Sequence, residues 1–198
     1  MPLISFIRHA PTTWNEAGKI QGHTDTPLSE KGRAQLQTWT PPPQLVGSEW
    51  VCSPLQRCRD TAQHLAGDTV ATEPLLKEMD WGDWQGETLP GLRERLGEEM
   101  TRREEMGWDF RPPNGESPRD VANRLKAFLA KVVERDKPTV VVTHKGVIRA
   151  AFALATGWDF MGKAPFKMKR EGVQIFWLSP DGSLEIREAN ASMLAEQS

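Results

Sequence analysis

Short apolar runs and helix-start signals alternate along this chain. Leu3-Ile4-Ser5-Phe6-Ile7 and Thr139-Val140-Val141-Val142-Thr143 are brief apolar segments ending in polar, turn-forming residues. Such runs predict buried strands of a mainly parallel sheet. Ser53-Pro54-Leu55-Gln56 offers a capping hydroxyl, a proline at the first helical position and a Gln three residues after the cap. It predicts a helix directly after a strand around residues 50–52. Ser117-Pro118-Arg119-Asp120 repeats this grammar ahead of Val121, Leu125, Phe128, Leu129 and Val132, an apolar stripe at helical spacing that leads into the Val140 strand. Ser29 starts a helix toward Trp39, and Pro41-Pro42-Pro43 stops it, because three residues without N–H groups cannot continue one. Residues 173–178, the Pro180-Asp181-Gly182 turn and residues 184–187 predict a hairpin, with the chain fraying after Ala189.

Strands alternating with helices predict an α/β protein: a three-layer α/β/α sandwich with a mainly parallel central sheet. In such folds ligands gather outside the carboxyl ends of the strands. No internal repeat breaks the pattern, and 198 residues with 38% hydrophobic and 26% charged side chains suit one domain spanning residues 1–198.

A formal net charge of −2 and a pI near 6.1 give no overall footprint for nucleic acid or an anionic membrane, so anion binding must be local. The first seven residues carry no basic leader and are too short for a span, which sets the expectation of a cytoplasmic protein. Cys52, on the strand, and Cys58, in the following helix, have neither metal nor redox spacing and are read as reduced. No His/Cys/Asp cluster has zinc spacing. His23 and His64 are read as structural.

Candidate chemistry collects at the strand ends. Arg8, His9, Thr12 and Asn15 follow the first strand at once, offering a cation, an imidazole, a hydroxyl and an amide to a phosphate. Arg57 falls near the start of the capped helix, at the positive end of its dipole. Thr143-His144-Lys145-Gly146 puts a second histidine at another strand end, again ahead of a helix. Glu78 lies in an apolar, tryptophan-rich loop where burial could raise its carboxyl pKa enough to donate a proton. A phosphate dianion repels nucleophiles, so a neutral imidazole must attack while fixed cations absorb charge on the oxygens.

Four segments in order carry a resemblance: Arg8-His9 with Thr12-Thr13-Trp14-Asn15, residues 22–32 from Gly22-His23-Thr24-Asp25 to Gly32, Ser53-Pro54-Leu55-Gln56-Arg57, and Thr143-His144. Together they resemble the histidine phosphatase superfamily. That group includes cofactor-dependent phosphoglycerate mutases, the bisphosphatase domain for fructose 2,6-bisphosphate, and α-ribazole phosphatases. The resemblance implies a phosphoglycerate mutase-like fold and a metal-independent, cofactor-free phosphomonoester hydrolase with a phosphohistidine intermediate. His9 would be the nucleophile and Glu78 the proton donor. Arg8, Arg57 and His144 would form the phosphate pocket, with Thr12 and Asn15 adding neutral hydrogen bonds.

Residues 86–116 would cover the site and select a small-molecule phosphomonoester. Arg102, Arg103, Phe110 and Arg111 are specificity candidates there, with Trp81 and Trp84 as candidates to line the pocket or, equally, as core anchors. Glu98–Arg102 and Glu99–Arg103 also fit ordinary i,i+4 pairs on a solvated helix. Ala10 and Lys145 stand where many relatives have Gly. Lys145 is a phosphate-binding candidate or, equally, a helix-surface residue. Trp81-Gly82 in place of Tyr-Gly, and the short 86–117 connection, favour hydrolysis over mutase activity. A catalytically silent phosphate-binding protein is the third reading. The leading guess at the substrate is that of an α-ribazole phosphatase-like enzyme, and a homodimer stays open.

Overall fold

A computed structural model describes residues 1–67 and 69–194. Strands β1 (Leu3–Arg8), β2 (Glu49–Cys52), β3 (Ala71–Thr72), β4 (Thr139–Thr143), β5 (Gly172–Leu178) and β6 (Leu184–Ser192) form one sheet in the order β3-β2-β4-β1-β5-β6. The β3-β2-β4-β1 pairings are parallel, while β5 and β6 form an antiparallel hairpin at the β1 edge. The helices are α1 (Thr13–Glu16), α2 (Glu30–Leu36), α3 (Gln56–Ala66), α4 (Leu89–Leu96), α5 (Glu98–Glu104), α6 (Pro118–Arg135) and α7 (Lys145–Thr156). None among the described residues is long and apolar enough to cross a membrane.

Alternate strand residues split the core into two layers, as the pleat requires. Ile4, Phe6, Val51, Val141 and Phe176 pack with α6 and α7, including Leu125, Phe128, Leu129 and Phe152. Ile7, Cys52, Val140 and Val142 pack on the opposite face with Leu36 of α2 and Cys58, Ala62 and Leu65 of α3. The predicted α/β/α sandwich is therefore present. Cys52 and Cys58 are both buried and free. Residues 86–116 contribute to a smaller cluster in which Leu92 and Met100 meet Ile20 and Trp84.

Local chemistry explains the element starts. Ser117 caps α6 through Asp120 in a reciprocal box with Pro118 at the first position, and Ser29 accepts from Gly32 N at the start of α2. Two expectations are corrected. Ser53 does not cap α3, which begins at Gln56; Asp25 Oδ1 instead accepts from Gln56 N across 2.7 Å. The chain does not fray after Ala189, because β6 continues to Ser192; residues 195–198 lie outside the described residues. Asn190, with φ +63°, holds the loop before β5 by accepting from Lys169 N (2.7 Å) and donating to Lys167 O (2.9 Å). Ladder pairing and a side-chain clamp offset the fraying that an uncovered end would show.

Candidate active site

Parallel β1 and β4 end in register, Arg8 beside Thr143, and the last bond runs from His9 N to Thr143 O at 3.0 Å. His9 and His144 therefore emerge at one sheet edge, both buried, with ring centroids 5.3 Å apart. His9 Nδ1 donates to the Ala10 carbonyl at 2.7 Å, since a carbonyl can only accept. That leaves the Nε2 lone pair free. Burial first, then the charges of Arg8 and Arg57, hold His9 well below the ordinary histidine pKa, so the ring is neutral near pH 7.

His144 is held through both nitrogens. Arg57 Nε donates to its Nδ1 at 3.3 Å, and a guanidinium cannot accept, so the His144 proton sits on Nε2 and points to Ser53 Oγ, 2.8 Å away. Burial and then Arg57 keep this ring neutral as well. Ser53 thus leaves the helix start to orient His144. The 22–25 loop completes the Arg57 setting: Nη1 donates to Thr24 O (2.9 Å) and Nη2 to Gly22 O (2.8 Å). Two of the five guanidinium N–H groups stay available for an anion.

Arg8 is the contrasting cation, because its Nε is buried with no partner among the described residues. An unpaired buried donor is costly, and an anion would satisfy it. Sequence reasoning missed a third guanidinium, Arg170, in the loop between α7 and β5. Its Nη1 donates to His9 O (3.3 Å) and Asn15 Oδ1 (3.4 Å), and burial with the nearby Arg8 charge lowers its pKa to about 9. Basic residues of that loop were visible, but nothing local pointed to His9.

Asn15 lines the cavity, whereas Thr12 is buried and occupied. The Thr12 hydroxyl accepts from Asn15 N to cap α1 (3.1 Å) and donates to Gln21 Oε1 (2.7 Å). Its backbone N–H in turn donates to Asn15 Oδ1, so Thr12 shapes the loop that presents Asn15.

Glu78 faces the same cavity, with Oε1 accepting from Met79 N (2.8 Å) and Gly146 N (3.0 Å). Its carbonyl accepts from His23 Nε2 (2.8 Å) and from Arg124 Nη2 of α6 (3.0 Å), and Arg124 is paired with Glu116. His23 and Arg124 therefore brace the loop that carries the acid. Neither role has a local signal, because both partners lie far from Glu78 in sequence.

The cavity encloses about 550 Å³. Arg8, His9 and Arg57 line it beside Glu78, Lys145, Gly146 and Arg149, and residues 86–116 contribute Leu89, Arg93, Met100 and Phe110. Trp81 also lines it, with its ring against Phe110 at 5.7 Å. Arg102, Arg103 and Arg111 are not among the lining residues, and neither is Trp84, which is buried against Ile20, Leu92 and Met100. Arg102 pairs with Glu98 (3.7 Å), Arg103 with Glu99 (2.8 Å) and Arg111 with Asp120 (2.5 Å). Among the described residues no group of three or more His, Cys, Asp or Glu side chains is placed to hold a metal.

Residues 4–190 match the family described as histidine phosphatase superfamily (branch 1). The chain is 34% identical over 165 residues to glucosyl-3-phosphoglycerate phosphatase of Mycobacterium tuberculosis, covering 74% of this chain and 72% of the relative. It is 33% identical over 168 residues to 2,3-bisphosphoglycerate-dependent phosphoglycerate mutase 2 of Gloeobacter violaceus, covering 76% and 74%. The crystal structure of phosphoserine phosphatase from Entamoeba histolytica in complex with 3-phosphoglyceric acid superposes with a TM-score of 0.78 at 26% identity, over 97% of this chain and 98% of that one. The α-ribazole phosphatase of Shigella flexneri gives 0.79 at 24% identity over 99% and 100%, a likeness of fold alone.

Proposed function

The chain belongs to the histidine phosphatase superfamily, and from that premise we propose that it hydrolyses a small phosphorylated metabolite, without a metal, through a phosphohistidine on His9. The observation that carries this reading is the His9 ring: neutral, proton fixed on Nδ1 by the Ala10 carbonyl, and surrounded by the guanidiniums of Arg8, Arg57 and Arg170. Nε2 forms the new N–P bond as the ester P–O bond breaks. Arg8 and Arg57 take up charge on the phosphoryl oxygens, the task a metal would otherwise perform. Glu78 passes a proton to the departing alkoxide, then accepts one from the water that attacks phosphohistidine and breaks its N–P bond. Products are the alcohol and inorganic phosphate.

Several charge-assisted contacts are required, because monoester hydrolysis needs accelerations up to about 10²¹-fold. The 86–116 segment, whose α4 and α5 wall the cavity, is proposed to select the alcohol half through Phe110, together with Trp81 of the loop that precedes it. Relatives named for phosphorylated metabolites support a substrate of that size.

Phosphate release across a monoester panel in EDTA, combined with acid quench of ³²P-labelled substrate, tests the reading. Release in EDTA with acid-labile label on wild type and none on His9→Gln is expected. Label persisting on that variant would remove His9 from the role. Isomerisation of 3-phosphoglycerate primed by 2,3-bisphosphoglycerate, with little release, would make the protein a mutase, the alternative that the Gloeobacter relative keeps in view.

A further inference from the structure

The peptide bond that follows the nucleophile is clamped on both edges. Ala10 N–H donates to Thr61 Oγ1 (3.0 Å), whose own proton goes to Arg57 O (2.7 Å), and His9 O accepts from Arg170 Nη1 (3.3 Å). Thr61 comes from α3, the helix that also carries Arg57, whereas Arg170 arrives from the loop before β5. The Ala10 carbonyl that receives the His9 Nδ1 proton follows directly on this clamped peptide.

Arg170 Nη1 also donates to Asn15 Oδ1 (3.4 Å), an atom that accepts from Thr12 N as well (3.2 Å). Two N–H groups converging on one end of a carboxamide identify that end as the oxygen. The last torsion of an Asn side chain is otherwise broad and roughly two-fold, so these donors decide which end turns to the site. Asn15 Nδ2, without a hydrogen-bond partner among the described residues, is left as a donor in the cavity that Asn15 lines.

Arg170 is not held as a stabilising arginine would be. It is half-buried, enters none of the ion pairs of the described residues, and has a pKa brought down to about 9 by desolvation and then by Arg8. A desolvated cation with only neutral acceptors, close to another cation, opposes folding. Nor does it line the cavity as Arg8 and Arg57 do. A group that burdens the fold and stands behind the site acts through the residues it touches. We infer that Arg170 is a positioning residue for phosphoryl transfer, turning the Asn15 amide N–H toward the phosphoryl oxygens and fixing the backbone on which the His9 ring is set.

This rests on the hydrolase reading, so its test begins with inorganic phosphate, which binds without turnover. Calorimetry with inorganic phosphate compares wild type, Arg170→Met, Asn15→Ala and the double variant. Each single substitution should weaken binding by about 10-fold, near the worth of one hydrogen bond to a charged group, and the double loss should be smaller than the product of the two. Rapid acid quench with ³²P-labelled p-nitrophenyl phosphate should show phosphohistidine forming about 10²-fold more slowly in Arg170→Met, the cost of a misplaced reacting group. Arg170→Lys, which keeps a charge and a donor, should recover part of that rate. The urea midpoint of Arg170→Met should be unchanged or higher. Binding losses that multiply in the double variant, or a lowered midpoint with phosphorylation at the wild-type rate, would assign Arg170 to the fold alone and overturn the positioning role. Absence of phosphate release by wild type across the monoester panel, with the Arg170–Asn15 coupling in phosphate binding retained, would instead overturn the hydrolase reading.

Discussion

Gly146 N–H lies 3.0 Å from Glu78 Oε1, and a Cβ on Gly146 would collide with that same oxygen. The absence of a side chain at the second residue of α7 is thus what admits the acid to the site. Gly146 has no left-handed backbone angle, so its requirement comes from Glu78 and not from chain conformation.

Gly146→Ala should therefore displace the acid while leaving the helix intact. It should lower kcat on alkyl phosphates by about 10²- to 10⁴-fold, the range of general acid catalysis. Loss on p-nitrophenyl phosphate should be far smaller, since that leaving group needs little protonation. Glu78→Gln should give the same pattern, and the double variant little more. Steady-state kinetics on both substrates checks this; equal losses on the two would remove Glu78 as the leaving-group acid.

Acid should destabilise the protein through its two buried histidines. His9 and His144 have folded pKa values well below the unfolded value near 6.5, mainly through burial and then neighbouring arginines. Unfolding therefore takes up protons below that value. Their contribution to stability is complete above about pH 6.5 and is lost as pH falls beneath it, at up to about 1.4 kcal/mol per pH unit for each group. Urea unfolding of His9→Gln at pH 7.5, 6 and 5 should show a shallower decline than wild type. Parallel declines would mean His9 is not kept neutral by the fold.

Ser53→Ala should leave the buried His144 Nε2–H without its acceptor. A stability loss of about 1–3 kcal/mol is expected from one unsatisfied buried donor. The chemical-denaturation midpoint of Ser53→Ala reads it, and an unchanged midpoint would show that His144 does not depend on the hydroxyl.

The amino-acid sequence determined the strand-end placement of Arg8, His9 and His144, the first-turn position of Arg57 and the loop position of Glu78. Each depends on adjacent residues: an apolar strand, a turn and a helix start, all encoded within about ten positions. The α/β/α layering followed from the same alternation. Tertiary structure decided what surrounds them. Ser53, read from local grammar as a cap, was drawn to His144, 91 residues away, while Asp25 took over capping across 31. Arg170 reaches His9 across 161 residues. Arg102, Arg103 and Arg111, legible as cations near the site, formed ion pairs that keep them off the cavity wall, whereas Arg149 was left to line it. Local propensity is a property of neighbouring residues. The partner a long polar side chain finds depends on which distant segments the packed core brings within hydrogen-bond reach, and no local pattern encodes that choice.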